Sequence, residues 1–143
     1  MTISLQPKER IGVHGFVINK QGEILIIKKS ETDPDEPNTW DTPGGGIDEN
    51  TVEEGFMREA FEEIGLEVSN IKLLGAYTID DPNLQLLVRA ETNNAKITLS
   101  HEHNEYRWIK LEELENIQPK GLHLRAAFHI VKTGNILAKY GGY

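Results

Sequence analysis

The chain alternates between runs of residues typical of β-strands and runs with the period of an α-helix. Residues 11–18 (IGVHGFVI) and 23–28 (EILIIK) are rich in β-branched and other apolar side chains, which favours strands. The four residues between them, NKQG, suit a hairpin turn. Further strands are predicted at 71–79, 84–90 and 105–110, and we expect the short run at 97–99 to pair beside them. The pattern therefore predicts a sheet of several strands.

Between residues 51 and 64 the pattern changes to the period of an α-helix. Thr51 or Asn50 suits the N-cap of this helix, and Gly65 suits the position just after its last turn. One arc of the helix is apolar, and we expect it to pack on the sheet. The residues of this arc are Val52, Phe56, Met57, Ala60, Phe61 and Ile64.

A second amphipathic helix is predicted at 122–132, after a short helical turn at 111–115. Its apolar positions are Leu122, Ala126, Ala127, Ile130 and Val131. The prolines at 30–39 (SETDPDEPNT) and 80–83 (DDPN) predict connecting loops or turns. Strands on both sides of one helix, followed by a second helix, predict an α/β (α+β) fold in which helices pack on a mixed sheet.

Composition narrows the class of protein. The chain has 143 residues, no cysteine, and 23 acidic against 15 basic residues, so we expect one domain spanning 1–143. The absence of cysteine excludes disulfides, thiolate zinc sites and cysteine nucleophiles. It suits a reducing compartment, and with no apolar signal segment at the start we expect a cytoplasmic protein. The acidic balance and the lack of a long apolar run argue against nucleic-acid polymers and membranes as partners.

Nearly all of the net charge of −8 lies in residues 44–67, which contain eight acidic residues and a single base, Arg58. Glu59, Glu62 and Glu63 fall in one narrow sector of the predicted helix. Such a cluster of carboxylates is either a solvated face or a site for a divalent cation. We favour Mg²⁺ or Mn²⁺, since the repulsion between three carboxylates needs a counter-charge.

The segment 44–66, GGGIDENTVEEGFMREAFEEIGL, resembles the Nudix box of the Nudix (MutT-like) hydrolases. That pattern ends in Arg-Glu-apolar-any-Glu-Glu-any-Gly-apolar, and residues 58–66 match it at every defined position. The first glutamate of the pattern falls on Asn50, next to Glu49. Upstream, Trp40 begins a Trp-x-x-Pro-Gly-Gly entry, and an E-Y-R-W strand follows at 105–108.

The resemblance implies an α/β/α sandwich around a mixed sheet. It also implies metal-dependent hydrolysis of a nucleoside diphosphate linked to another moiety, such as a nucleoside triphosphate, dinucleotide or nucleotide sugar, by attack of water on phosphorus. Glu59, Glu62 and Glu63 would hold the Mg²⁺ or Mn²⁺, and Arg58 would orient them. Glu102, in a loop before the last strand, is the favoured general base, with Glu62 and Glu105 as alternatives.

The resemblance also implies contacts to a small nucleotide substrate. Gly44, Gly45 and Gly46 would present backbone N–H groups to phosphate, and Lys28 would contact phosphate as well. Trp40 is expected either to stack on a base or to pack under the glycine segment. A homodimer is expected from similar proteins. The alternative function is a nucleotide-binding sensor that has kept the fold and lost turnover, which the departure at Asn50 favours.

Overall fold

The computed structural model describes residues 11–79, 84–134 and 137–139, and only the backbone of the last three. Each helix or strand that the sequence predicted is present, apart from the run at 97–99, and its ends lie within two residues of the predicted bounds. Their bounds are β1 Ile11–Ile18, β2 Ile24–Lys29, β3 Trp40–Asp41, β4 Gly44–Gly46, α1 Val52–Ile64, β5 Ser69–Thr78, β6 Leu84–Glu91, β7 His103–Ile109, a 3-10 helix Leu111–Asn116, α2 Leu122–Thr133 and β8 Leu137–Lys139. The strands β3, β4 and β8 are short and were not predicted as strands.

The described strands form one mixed sheet in the order β3-β2-β1-β6-β5-β8. β4 pairs with β1, and β7 pairs with β2. β1 runs parallel to β6 over its whole length, whereas β5 and β6 form an antiparallel pair. Parallel pairing of β1 with β6 requires a crossover connection, and α1 lies within it. The predicted mixed sheet is therefore confirmed.

The two helices cover opposite faces of this sheet. Val13 and Val17 of β1 belong to the buried cluster that includes Phe56 of α1. Phe16 of the same strand belongs to a second cluster that includes Leu124 of α2. Because neighbouring residues of a strand point to opposite faces, this alternation places α1 on one side and α2 on the other. The expected α/β/α sandwich is confirmed.

Both ends of α1 form as the sequence indicates. The Thr51 hydroxyl accepts the N–H of Glu54 at 3.1 Å, so Thr51 and not Asn50 is the N-cap. Gly65 adopts a φ of 70°, and its N–H donates to the carbonyl of Phe61 at 3.0 Å. A left-handed φ at this position favours glycine, which explains why the helix ends there.

The segment Gly44–Gly46, for which the sequence predicted no strand, forms the strand β4. It pairs antiparallel with β1, with Gly44 opposite His14. Gly44 has a φ of 157°, and a Cβ added there would lie 2.1 Å from the carbonyl oxygen of Val13. The close approach of β4 to β1 therefore requires glycine at this position.

Two expectations about apolar residues are wrong in part. Met57 and Phe61 are 49% and 62% exposed, so the buried face of α1 is narrower than its apolar arc. Phe56, Ala60 and Ile64 are fully buried and make the contact with the sheet. In α2, Leu122 is only partly buried and Val131 is exposed. A helix contacts a sheet along one stripe, so residues at the margin of an apolar arc stay in solvent.

The run at 97–99 is not a strand. The N–H of Thr98 donates to the carbonyl of Ile64 at 3.0 Å, so the segment lies against the C-terminal end of α1. Ile97 and Leu99 pack against the core on the α1 side. The turn predicted at 80–83 lies outside the described residues. Neither described helix is long and apolar enough to cross a bilayer.

Candidate active site

Two glutamates of α1 approach the glycine strand. One carboxylate oxygen of Glu63 accepts the N–H of Gly44 at 3.2 Å. A Cβ added at Gly45 would lie 2.8 Å from the carboxylate of Glu59. Glycine at these positions therefore lets the carboxylates of the helix come close to β4. Glu63 is buried, with 7% of its surface exposed.

Arg58 connects four groups around these glutamates. Its Nη1 lies 3.0 Å from Glu62 and 3.1 Å from Glu59. Its Nη2 donates to the carbonyl of Gly46 at 3.1 Å, and its Nε donates to Glu49. Arg58 and Glu62 are four residues apart on α1, so they lie one turn from each other on the same side of the helix. Glu49 binds Arg58 beside the exposed Asn50, so a carboxylate is present there although the box pattern departs at Asn50.

The charges in this site interact strongly. Burial, together with the nearby carboxylates of Glu59 and Glu102, raises the pKa of Glu63 to about 9 against the opposing hydrogen bond from Gly44. Burial also raises the pKa of Glu59, while Arg58 lowers it. The hydrogen bond from Arg58 holds the pKa of Glu49 below its ordinary value. The charged forms of Glu59 and Glu63 therefore gain from a nearby cation.

Glu102 lies beside the same glutamates. Its negative charge raises the pKa of both Glu59 and Glu63. Its carbonyl accepts the N–H of Ser30 at 2.9 Å, and the N–H of Ser100 donates to the carbonyl of Glu63 at 3.0 Å. Glu105, by contrast, is an exposed residue of β7 opposite Lys28. The fold therefore brings Glu102 to the glutamates of α1.

The donor set suits a hard divalent cation, because carboxylate oxygens are the ligands that Mg²⁺ and Mn²⁺ prefer. Glu59 and Glu63 converge on β4, and burial disfavours their charged forms. The side chain of Glu62 is 58% exposed and bound by Arg58. Among the residues that the structure describes, no three His, Cys, Asp or Glu side chains are gathered as a finished metal centre. A cation would thus recruit Glu62 or Glu102 to complete its ligands.

A buried ion pair behind this site was missed by the sequence analysis. Asp41 is 1% exposed, and its Oδ2 lies 3.4 Å from Nζ of Lys29. Lys29 also binds Glu36 at 3.1 Å. Burial raises the pKa of Asp41 to about 6, and its charge in turn raises the pKa of Glu63. In the sequence, Asp41 is a single acid between Trp40 and Thr42, and hydrophobic periodicity cannot tell such a buried acid from an exposed loop residue.

Two stacked imidazoles lie on the α2 side of the glycine strand, and they too were missed. The rings of His14 and His123 are 3.6 Å apart with an angle of 11° between their planes. His14 contacts the carbonyl of Thr42 through Nδ1 at 3.1 Å, and the hydroxyl of Tyr77 lies 2.7 Å from Nδ1 of His123. Burial lowers the pKa of His14 and that of His123, the latter to about 3. Both rings are therefore neutral near pH 7.

Trp40 and Lys28 lie on the opposite side of the sheet from α1. The Nζ of Lys28 lies 5.8 Å from the centre of the Trp40 ring, on the α2 side of the sheet. Trp40 is 3% exposed, so its ring packs in the core and is not open to stack on a base. His103 is half-buried, and burial lowers its pKa to about 4. His101 is exposed.

Comparison with known proteins agrees with this geometry. The family model of the NUDIX domain matches residues 8–129. The chain belongs to the Nudix family. It is 28% identical over 110 residues to a MutT-like protein of Streptomyces ambofaciens, covering 76% of this chain and 68% of that one. It is 32% identical over 106 residues to the asymmetrical bis(5'-nucleosyl)-tetraphosphatase of Mus musculus, covering 66% and 69%.

The fold of the Nudix domain agrees as well. The MutT protein of Methanosarcina mazei Go1 superposes with a TM-score of 0.70 at 26% identity, covering 92% of this chain and 98% of that one. The chain spans about a third or less of the length of several other curated relatives that it matches. The protein is thus a Nudix hydrolase, an enzyme that acts on phosphoric anhydride bonds.

Proposed function

We propose that this Nudix protein is a metal-dependent pyrophosphohydrolase of small nucleotide substrates. Its substrate is a nucleoside diphosphate linked to another moiety, which includes nucleoside triphosphates, dinucleotides and nucleotide sugars. The observation that carries the proposal is the approach of the Glu59 and Glu63 carboxylates to the glycine strand, with Glu102 beside them. Burial and mutual repulsion disfavour the charged forms of Glu59 and Glu63, and a bound cation would offset this.

Glu59, Glu62 and Glu63 hold the cation in this proposal, and the cation is Mg²⁺ or Mn²⁺. When bound, it supplies a Lewis acid that offsets the negative charge of the pyrophosphate. Arg58 already contacts Glu59 and Glu62 and keeps both carboxylates on one side of α1. Glu49 holds Arg58 in that position. Arg58 is therefore a positioning residue, and the glutamates are the ligands.

The backbone of β4 and the side chain of Lys28 bind the substrate phosphates. Gly44, Gly45 and Gly46 allow the phosphates to come close to the main chain, since no side chain stands in the way. The N–H of Gly44 donates to Glu63 before substrate binds. With Glu63 serving as a ligand of the cation, this N–H would be free to donate to a phosphate oxygen. Lys28, on the α2 side of the sheet, adds positive charge for the phosphates in this proposal.

Glu102 acts as the general base. Its carboxylate accepts a proton from a water molecule while the water oxygen attacks phosphorus. The anhydride P–O bond then breaks, and the other phosphate leaves with the electron pair. The charge of Glu102 acts on both Glu59 and Glu63, which supports this role for Glu102 over Glu105, a residue of β7 opposite Lys28. Glu62 is the second alternative, and it is tied to Arg58.

The mouse relative is named a bis(5'-nucleosyl)-tetraphosphatase, which supports a substrate with a chain of phosphates between or beyond nucleosides. We further propose that residues 1–143 act as one domain, that the protein works in the reducing cytoplasm, and that two copies form a homodimer. The lack of cysteine supports the choice of compartment.

The test is a phosphate-release screen over nucleoside triphosphates, dinucleoside polyphosphates and nucleotide sugars, with Mg²⁺ and with Mn²⁺. We expect metal-dependent turnover of at least one class and none with a chelator. The same compounds are measured for binding by calorimetry. Tight binding of one compound without turnover of any would instead establish the nucleotide-binding sensor.

A further inference from the structure

The strand β7 is an open edge of the sheet. It pairs antiparallel with β2, and among the described strands it pairs with no other. The backbone of residues 104–109 likewise makes no backbone hydrogen bond to a described segment other than β2. Asn104, Glu105, Tyr106 and Arg107 are all exposed. Alternate N–H and C=O groups of β7 therefore face away from β2 and can pair with another strand.

Two exposed charges on this edge restrict what can pair with it. Arg107 lies opposite Ile26, which belongs to the buried cluster on the α2 side of the sheet. Glu105 is two residues away and therefore on the same face, whereas Tyr106 between them is on the α1 side. Neither Glu105 nor Arg107 forms an ion pair with another described residue. Both charges are thus available to a strand that joins this edge.

The order of these residues makes the edge complementary to itself. When two identical strands pair antiparallel about a two-fold axis, one residue lies opposite its own copy, and the residues on either side of it face each other. An axis at Tyr106 places Glu105 opposite Arg107 of the other copy, and it does so twice. Two pairs of opposite charge then form on one face, and two tyrosines meet on the other.

The neighbouring registers are unfavourable. An axis at Glu105 places two glutamates directly opposite each other, and an axis at Arg107 does the same with two arginines. Like charges directly opposite each other destabilise a strand pair. The charges of β7 therefore select the register that is centred on Tyr106.

A bulge in the β2–β7 pair fits this register. Lys28 lies opposite Glu105 and Lys29 lies opposite His103, so Asn104 is the extra residue of the bulge. A bulge interrupts regular pairing and bends its strand. The three central pairs of the register use residues 105–107 only, so they lie on the C-terminal side of the bulge.

The side chains of this edge are also placed for the contact. The guanidinium carbon of Arg107 lies 4.7 Å from the centre of the Trp40 ring, which restrains Arg107 on the α2 side. A guanidinium that lies over a ring keeps the N–H donors of its planar fork for a carboxylate. Tyr106 is 43% exposed, and a second copy of β7 would cover part of its ring.

We propose that the β7 strands of two copies of this chain pair antiparallel about Tyr106, so that the two sheets become one across a dimer. Main-chain hydrogen bonds join the strands, and the pairs of Glu105 with Arg107 fix the register. The interface rests on the homodimer proposed above and not on the proposed hydrolysis. Because β7 begins directly after Glu102, the interface lies beside the proposed general base.

Charge reversal tests the register, with sedimentation equilibrium of the full chain as the measurement. Glu105→Arg makes two arginines face each other, and Arg107→Glu does the same with two glutamates. We expect each single variant to raise the dissociation constant of the dimer at least about tenfold. An equimolar mixture of the two single variants should form a heterodimer, since each arginine then faces a glutamate. The double variant Glu105→Arg/Arg107→Glu should recover the homodimer, and circular dichroism verifies the fold of each variant.

Hydrogen exchange of the wild type locates the contact without a substitution. Raising the protein concentration through the dissociation constant should slow exchange in residues 104–108 and leave exchange in α1 unchanged. Glu67→Arg reverses an exposed acid near the end of α1 and should dimerise like the wild type. A wild-type dimer that both single variants leave intact would overturn this interface, and so would a wild type that stays monomeric. Neither measurement uses turnover, so a failure of the proposed hydrolysis leaves the outcome unaffected.

Discussion

The guanidinium of Arg58 is bound by Glu49, the residue just before Asn50. The Nudix box pattern places a glutamate at Asn50, and the exposed Asn50 has no charge to offer. Glu49 supplies the carboxylate from the adjacent position, and the loop between β4 and α1 brings it to Arg58. This contact removes the sequence-based reason to regard the site as inactive.

Glu49→Gln should lower turnover about tenfold. The neutral amide holds Arg58 less firmly, so Glu59 and Glu62 lose their shared partner. Arg58 and Glu49 are 34% and 20% exposed, so the free energy of unfolding should change by less than about 1 kcal/mol. Steady-state kinetics and denaturant unfolding measure the two effects. Glu67→Gln, which neutralises an exposed acid near the end of α1, is the control, and equal turnover in both variants would contradict the role of Glu49.

Glu36 caps a helix from a distant loop, and its loss should destabilise the fold. Both of its carboxylate oxygens accept the N–H of Leu122, at 3.1 and 3.2 Å, and Gly121 at the N-cap has no side chain to do so. Glu36→Gln should lower the free energy of unfolding by about 1–2 kcal/mol, since a charge at a helix N-terminus is lost. Glu31→Gln removes an exposed acid of the same loop. Identical urea midpoints for the two variants would show that the cap adds nothing.

The stacked pair of His14 and His123 should make the fold sensitive to acid. Burial lowers both pKa values in the folded protein, that of His123 to about 3. Below about pH 6.5 the unfolded chain therefore binds more protons than the folded chain, and stability falls with pH. Glu63 acts in the opposite direction, because its raised pKa favours the folded state at lower pH.

A substitution isolates the contribution of His123. Between pH 7 and pH 5 the wild type should lose up to about 2 kcal/mol more than His123→Gln, in which this titrating group is absent. Chemical unfolding at both values of pH measures the difference. His101→Gln replaces an exposed imidazole and should behave like the wild type. The same pH slope in wild type and His123→Gln would refute the assignment.

Glu102 and Glu105 differ by three positions but should differ greatly in their effect on rate. Glu102→Gln should lower kcat by about 100-fold or more, the usual range for loss of a general base. Glu105→Gln changes an exposed residue of β7 and should keep most of the activity. A large loss of kcat in Glu105→Gln, together with an active Glu102→Gln, would show that Glu105 and not Glu102 is the general base.

Local patterns in the sequence predicted the elements of this fold well. The caps Thr51 and Gly65 follow from short-range physics, and so does the placement of Glu59 and Glu63 on one side of the helix. Contacts between distant segments were not predictable in this way. Glu36 and Leu122 are 86 residues apart, and His14 meets His123 only because β1 and α2 pack together.

The glycine strand shows the same limit. Three consecutive glycines favour a loop by local propensity, and only the close approach of β1 turns them into a strand. The exposure of Phe61 is a further case, because the apolar arc of α1 is wider than its contact with the sheet. Tertiary packing decided both outcomes, and a single sequence carries little information about it.

The most direct test of the account is the rate of phosphate release by wild type and Glu63→Gln, measured side by side with Mg²⁺ on the best substrate of the screen. Burial raises the pKa of Glu63 to about 9 in the metal-free protein, so the neutral amide should preserve the fold, which circular dichroism and thermal melting verify. We expect Glu63→Gln to lose at least about 100-fold in kcat and to keep its fold. Turnover by Glu63→Gln at the wild-type rate would contradict the metal-binding role of Glu63 and the proposal that rests on it.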